Sequence, residues 1–451
     1  MSQPLPDRKD VPVAYTWDAY SVFPSDEAWE TAVSSVQPML QTIAGYRGRI
    51  HEGPDTLLGL IDKLQSLYET VGKIFIYASM FHNVDTADAD AAARHDRARG
   101  LFGQVLAMTA FMDPELIAVG FDTLRQWMDA EPRLAVMAHY VADLERQQAH
   151  VRSAEVEELL GMVMDPFRTA ASVHGILADA DLNFEPATPA EGQDELTVAQ
   201  GTIGSLLTDA DREVRRTAWE NYADAYLAYK NTMATALSAG IKQHVFTARA
   251  RRYGSALEAA LAPSNIPVAV FHNTVDTFRK HLPTWHRYWR IRRQALGYDR
   301  LHVYDVKAPL TTAKPDVPFD RAVDWIVAGM RPLGEEYGAA LRRGVQQQRW
   351  VDVYPNKGKR SGAFSSGVQG THPFILMSYT DDLFSLSTLA HELGHSLHSY
   401  FAWQTQPFLY AQYSLFVAEV ASNFNQALVR AHLLETHADD PDFQIAVIEE
   451  A

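Results

Sequence analysis

The chain has 451 residues, 47% of them hydrophobic, a formal net charge of -16 and no cysteine. That much apolar material can fill a sizeable core in one large domain or several, and the lack of cysteine excludes a disulfide framework and any thiolate metal site. The acidic balance argues against nucleic acid as a general partner.

The start, MSQPLPDRKDVP, is polar and proline-bearing, without the apolar core of a signal peptide. No run approaches the ~20 apolar residues of a membrane span, so the expectation is a soluble, cytoplasmic protein with no membrane partner. Ser25, Asp26 and Glu27 read as a helix start, with the helix running towards Gly45. Long periodic segments follow at 56–82, 88–112, 114–128 and 133–160, punctuated by Pro, Gly and Asp. The stretch 181–201 reads as a hairpin-like connection, and the main boundary is placed there, giving an N-terminal helical lobe over 1–195 and a catalytic region over 196–451. Helices resume over 209–252. Between 279 and 300 basic residues interleave with Trp285, Tyr288 and Trp289, a mixture used in single-strand binding. The three aromatics fall at i, i+3 and i+4, so the stronger reading is an apolar helix face with its arginines solvated or paired. The fold class expected is mainly α, with a small sheet formed around the β-prone run 372–379.

Next comes His391-Glu392-Leu393-Gly394-His395, the HExxH arrangement. On a helix, residues i and i+4 share a face about 6 Å apart along the axis, so both imidazoles can reach one Zn²⁺ at ~2.0 to 2.1 Å. Glu392 projects about 100° away, where it can stand beside a metal-bound water as general base without filling the coordination site. A chance HExxH in a chain of this length with 17 His has a probability on the order of a few in a hundred, so the context has to decide. Leu386, Leu389 or Ala390, Leu393 and Leu397 form an apolar stripe, His391 and His395 lie on another face, and Thr380, Asp381 and Asp382 offer N-cap candidates. His398 is roughly 10 Å along the axis from His391, too far to share one ion, and is read as supporting the ligands or as packing. The segment 413–429 is apolar nearly all round and is expected to be a buried helix. Its polar exceptions Glu419, Asn423 and Gln426 make one stripe. A buried carboxylate needs a partner to offset its desolvation: a divalent cation on Glu419 is favoured over an ion pair or hydrogen bond there. The chain closes at 443–451 in what reads as an amphipathic helix without a C-terminal cap.

The runs NKGKRSGAFSSGVQGTHPFILMSYTDDLFSLSTLAHELGHSLHSY at 356–400 and QPFLYAQYSLFVAEVASNFNQAL at 406–428 closely resemble the oligoendopeptidase F group of the M3 metallopeptidases, and weaker likeness covers most of the chain. The resemblance implies one Zn²⁺ per chain on His391, His395 and Glu419, with Glu392 activating water. It implies two helical lobes across a deep channel with zinc on its floor, and an endopeptidase that hydrolyses internal bonds of short, unstructured oligopeptides. Family members often carry glutamate where this chain has Gln426, which can hydrogen-bond a ligand histidine without adding charge, so zinc is expected to stay. They also continue well past Ala451 into a region that stabilises the oxyanion. The alternative to a working peptidase is therefore a zinc-binding but catalytically incomplete fragment or pseudoenzyme, with a missing C-terminal segment among its partners.

A substrate expectation accompanies the motif. Pro373 stands where an edge strand tolerates it, and such a strand beside the zinc could pair with an extended peptide through Phe374, Ile375, Leu376 and Met377. A strand that merely closes a small sheet remains equally open.

Overall fold

The computed structural model describes residues 5–190, 194–311 and 314–451. It is mainly helical with one three-stranded sheet. The chain divides into two compact units, one made of Met1–Gln148 with Lys314–Ala451 and the other of Ala149–Ala313.

The first unit is built from both ends of the sequence. Its N-terminal part packs the helices Asp26–Ala44, Pro54–Val84 and Ala89–Thr109 together. The Ser25 hydroxyl caps the first of these by accepting from the Ala28 amide, and Trp29, Val36, Leu40 and Ile43 supply its buried face. The indole of Trp29 donates to the Ile74 carbonyl at 3.0 Å, which satisfies the polar edge of a fully buried ring. The C-terminal part is tied on by polar contacts that span hundreds of residues. Arg8 pairs with the wholly buried Asp352, and Asn356 donates to the Val84 carbonyl at 2.9 Å. These contacts join residues on either side of 149–313, and that is why the first unit is discontinuous.

Several helices end where the backbone requires it. The segment expected over 114–128 is two helices, Met112–Val119 and Phe121–Ala130, because Gly120 turns at φ 90°, a conformation that other residues adopt only with strain. Among the described residues, Ala89–Val119 is long and apolar enough by composition to cross a membrane, but it is two helices and Arg97 in the first pairs with Glu30 of the neighbouring helix. We read it as part of the helical packing of this unit.

The sheet runs β1 (Val351–Asp352), β2 (Phe364–Ser366) and β3 (Phe374–Leu376) in the spatial order β1-β3-β2. β3 pairs in parallel with β1 (Ile375 opposite Val351) and antiparallel with β2 (Ile375 opposite Ser365). This corrects the edge-strand expectation for Phe374, Ile375, Leu376 and Met377. β3 is the central strand, Phe374, Ile375 and Leu376 are 0% exposed, and Met377 is likewise buried. Phe374 and Leu376 face a cluster with Trp17, Ile76 and Met80, whereas Ile375 and Met377 face a second cluster with Leu386, Leu389 and Leu393. A continuous apolar run without alternation is what a strand covered on both faces requires.

Two helices of this unit carry the candidate site residues. The histidine helix is Leu383–Thr405, capped by the Asp382 carboxylate, which accepts from the Ser385 amide at 2.7 Å. The glutamate helix is Leu415–Thr436, and the two pack closely against each other. The expectation that the glutamate helix is buried all round is overturned. Ser422, Asn425, Val429 and Leu433 face the core, but Phe416 is 60% and Phe424 52% exposed, with Leu415, Val417 and Val420 also open. Among the described residues, one stripe of the helix is buried against neighbours. The last helix, Pro441–Glu450, packs Phe443 and Val447 into the same core.

The second unit contains the helices Met164–Ile176, Arg212–Ala228, Lys230–Ala250 and Val268–Ala295 among others. The connection over 181–201 does form an antiparallel bridge, Ala187 with Leu196, around residues 191–193, which lie outside the described set. It is not a unit boundary: Ala187 and Val198 are buried in one cluster with Leu206, Val214 and Ala218, so 195/196 falls inside the second unit. The fully buried Asp305 accepts from Arg212 at 2.7 Å and Arg215 at 3.3 Å, anchoring this cluster's helix to the chain near 305. On Val268–Ala295 the rings of Trp285 and Trp289 stack with centroids 6.2 Å apart, and Trp285 remains 46% exposed.

Candidate active site

The sequence places a histidine at each end of one helical turn, and the fold brings a carboxylate to them from the next helix. His391 Nε2 lies 3.2 Å from His395 Nε2, and Glu419 Oε2 lies 3.4 Å from the first and 3.8 Å from the second. Three ligands on a tetrahedral ion with bonds of ~2.0 to 2.2 Å stand about 3.3 to 3.6 Å apart, so these separations match one face of a zinc coordination tetrahedron. This is the one group of histidines and carboxylates among the described residues with metal-holding geometry. Two neutral imidazoles and a carboxylate suit zinc chemically.

The two helices can approach this closely because position 394 lacks a side chain. A Cβ on Gly394 would stand 2.6 Å from the Ser422 Cα and 2.8 Å from the Ala421 carbonyl oxygen. Ser422, wholly buried at that contact, donates its hydroxyl to Glu419 Oε2 at 2.9 Å and so fixes the rotamer of the carboxylate. Sequence reasoning missed Ser422 and proposed Asn423, which the structure leaves exposed. The available signal was a small polar residue one helical turn after Glu419 on an otherwise apolar helix.

Gln426 meets the first histidine of the motif: its Oε1 is 2.8 Å from His391 Nδ1. With Nδ1–H donating there, Nε2 keeps its lone pair for a metal. The His398 ring stacks on Tyr413 with centroids 3.7 Å apart, and the Tyr413 hydroxyl donates to the His395 carbonyl at 3.3 Å. Burial holds His395 below the ordinary imidazole range, the nearby His391 adding to this and the Glu419 charge opposing it. A depressed value favours the neutral, ligating form.

Glu392 is buried beside the donors, and its Oε2 has no hydrogen-bond partner among the described residues. Burial pushes its carboxyl up to about 7; His391 pulls it down, Glu419 pushes it further up and the Ser365 backbone hydrogen bond pulls it down. A divalent cation on the three donors would add a further downward pull. Such a group can exchange a proton near neutral pH. Ser365 sits in β2, whose outer side is an edge of the sheet, and its hydroxyl is 2.8 Å from that of the buried Ser396 on the histidine helix. The strand edge beside Glu392 is therefore β2.

A family model described as Peptidase family M3 matches residues 205–450, and one described as Oligopeptidase F matches 115–184. Oligopeptidase PepF of Bacillus subtilis is 38% identical over 97% of this chain, which spans 65% of that relative's length. Group B oligopeptidase PepB of Streptococcus agalactiae is 33% identical over 96% of this chain and 72% of its own. A crystal structure from Chlamydophila abortus superposes with a TM-score of 0.80 at 30% identity, covering 99% of this chain and 74% of that one. With one family model matching more than half of it and a relative 33% identical over 96% of it, the chain belongs to peptidase family M3, among the oligopeptidase F proteins.

Proposed function

We propose that this chain carries the catalytic centre of a zinc endopeptidase that hydrolyses internal bonds of short, unstructured oligopeptides. The observation that carries the reading is the three-donor face made by His391, His395 and Glu419 with the buried, unpartnered Glu392 oxygen beside it. The three donors would hold Zn²⁺, which when bound supplies a Lewis acid for the scissile carbonyl and lowers the pKa of water. Glu392 accepts a proton from the attacking water as its oxygen bonds to the carbonyl carbon. It then passes that proton to the amide nitrogen, and the C–N bond breaks to give a carboxylate and an amine. Gln426 and Ser422 keep His391 and Glu419 in their ligating orientations. An extended peptide pairs with the free side of β2, in place of the strand-374 arrangement, because that edge adjoins Glu392.

A second reading, a zinc-binding chain that is catalytically incomplete, draws on a specific observation. About a third of the B. subtilis relative has no counterpart here, and the glutamate helix exposes a row of large apolar residues beside the donors. Exposed apolar faces of this kind mark surfaces that a polypeptide, a ligand or a membrane covers. The discriminating experiment measures zinc content and cleavage of an internally quenched peptide on a preparation whose intact mass matches residues 1–451. Zinc-dependent cleavage abolished by Glu392→Gln supports the enzyme. Stoichiometric zinc without turnover supports the second reading, and a chain that takes up no zinc sinks both.

A further inference from the structure

The hydrogen bond on His391 does not end at Gln426. The Gln426 amide donates through Nε2 to the Ser387 hydroxyl at 2.9 Å, and Ser387 donates in turn to the Glu450 carboxylate. Ser387, Gln426, Arg430 and Glu450 line one small cavity, and Glu450 pairs with Arg430 at 3.5 Å. Glu450 belongs to the last helix, Pro441–Glu450, far in sequence from the HExxH turn, and its side chain is only 15% exposed. Burial holds the Glu450 carboxyl above the ordinary carboxylate range and the Asp382 charge adds to this, while Ser387 and Arg430 pull it down without cancelling the rise.

Direction is the informative property of this chain of bonds. A glutamine amide can present either its oxygen or its nitrogen to a neighbour, and a hydroxyl can donate either way, so Gln426 and Ser387 alone do not decide which nitrogen of His391 carries the proton. A carboxylate only accepts. With Glu450 at the far end, Ser387 donates outward and its oxygen accepts from Gln426 Nε2, so Gln426 Oε1 faces His391. Nδ1 then holds the proton and Nε2 is left free. Without the carboxylate, the opposite polarity becomes available: Ser387 donates to a flipped amide, whose NH₂ faces Nδ1 and drives the proton onto Nε2, the atom needed by the metal.

We propose that Glu450 is a positioning residue that sets the tautomer of His391 through Ser387 and Gln426, performing from the last helix the role a carboxylate at 426 would perform directly. The inference rests on the zinc-site reading of His391. It places metal affinity partly under the control of the helix Pro441–Glu450, which contributes none of the three donors.

The test uses the full chain and Zn²⁺ alone, with affinity measured by competition against a chromophoric chelator, and the His391 tautomer read in the metal-free protein from long-range ¹H–¹⁵N correlations. Glu450→Gln should weaken zinc about tenfold and raise the Nε2-protonated population. Ser387→Ala should do the same while leaving the Glu450–Arg430 pair in place, and it decides the matter if Glu450→Gln folds poorly. Combining the two should cost no more than either alone, because they break one chain of bonds. Gln426→Glu should make zinc affinity indifferent to Glu450→Gln. Unchanged tautomer populations in Ser387→Ala, or an equal loss from Glu450→Gln in the Gln426→Glu background, would overturn the relay. Failure of the intact chain to bind zinc would instead count against the peptidase reading, and the tautomer measurement would still judge the relay.

Discussion

Gly394 and Ser422 meet backbone to backbone: a Cβ on the first would stand 2.6 Å from the Cα of the second, so the two helices of the site touch where the HExxH motif has no side chain. Helix propensity alone favours Gly394→Ala by roughly 1 kcal/mol. The contact predicts the opposite sign. Neither backbone can yield as a flexible side chain would, so Gly394→Ala should destabilise the first unit by about 1 to 3 kcal/mol and push Glu419 away from the histidines. Thermal unfolding together with zinc affinity checks this; a more stable variant with unchanged affinity would show that the helices are not in contact at that point.

Glu419 is the only carboxylate among the three donors, and Ser422 holds its rotamer. Glu419→Ala should leave too few ligands to retain zinc through dialysis, while Ser422→Ala should keep the ion but weaken it about tenfold. Elemental analysis after dialysis against a weak chelator distinguishes the two, and full occupancy in Glu419→Ala would remove that residue from the site.

Glu392 adjoins the donors without contributing to their triangle. Glu392→Gln preserves shape and removes the proton acceptor, so zinc content should stay at the wild-type level while any peptide cleavage falls by about 10² to 10⁴. Comparable kcat in a fully metallated variant would refute its role as base.

In the second unit, stability depends on a buried charge. Asp305 and Arg215 are both almost wholly buried, and Arg212 shares the same carboxylate. Asp305→Asn leaves Arg215 without its counter-charge and should destabilise this unit by about 3 kcal/mol at neutral pH. Burial pushes the Asp305 carboxyl up, but hydrogen bonds from Arg212, the His302 amide and Arg215, with the Arg212 charge, outweigh it and hold the group below the ordinary carboxylate range. Its contribution is therefore complete above the unfolded value of about 3.9 and is lost as pH falls through the lower folded value. Denaturant unfolding of the two proteins should show the gap closing only at strongly acidic pH. A constant gap down to pH 2 would exclude the ion pair as its source.

The parts of the site legible in the sequence were those fixed by local periodicity. Four-residue spacing placed His391 and His395 on one turn, and the polar stripe singled out Glu419 and Gln426, because a helix repeats its faces wherever it lies. The N-caps Ser25 and Asp382 were readable for the same local reason. What escaped depended on partners distant in sequence. β3 is central because residues near 351 and 365 flank it, and nothing in 372–379 names those neighbours. The glutamate helix read as buried because apolar composition states what a surface could cover, not whether a partner lies within the chain. Ser387 and Ser422 were invisible as small polar residues until the packing showed what they hold.

Because Arg8, Asp18 and Val84 close onto Asp352, Arg349 and Asn356, the first unit has a consequence for synthesis on the ribosome. The early helices emerge with their partner surface still untranslated, and all of 149–313 must pass before it appears. At bacterial-scale elongation of about 5 to 20 residues per second, that is a delay of roughly ten to thirty seconds. Throughout it, Trp17, Ile76 and Met80 await the strand that later covers them.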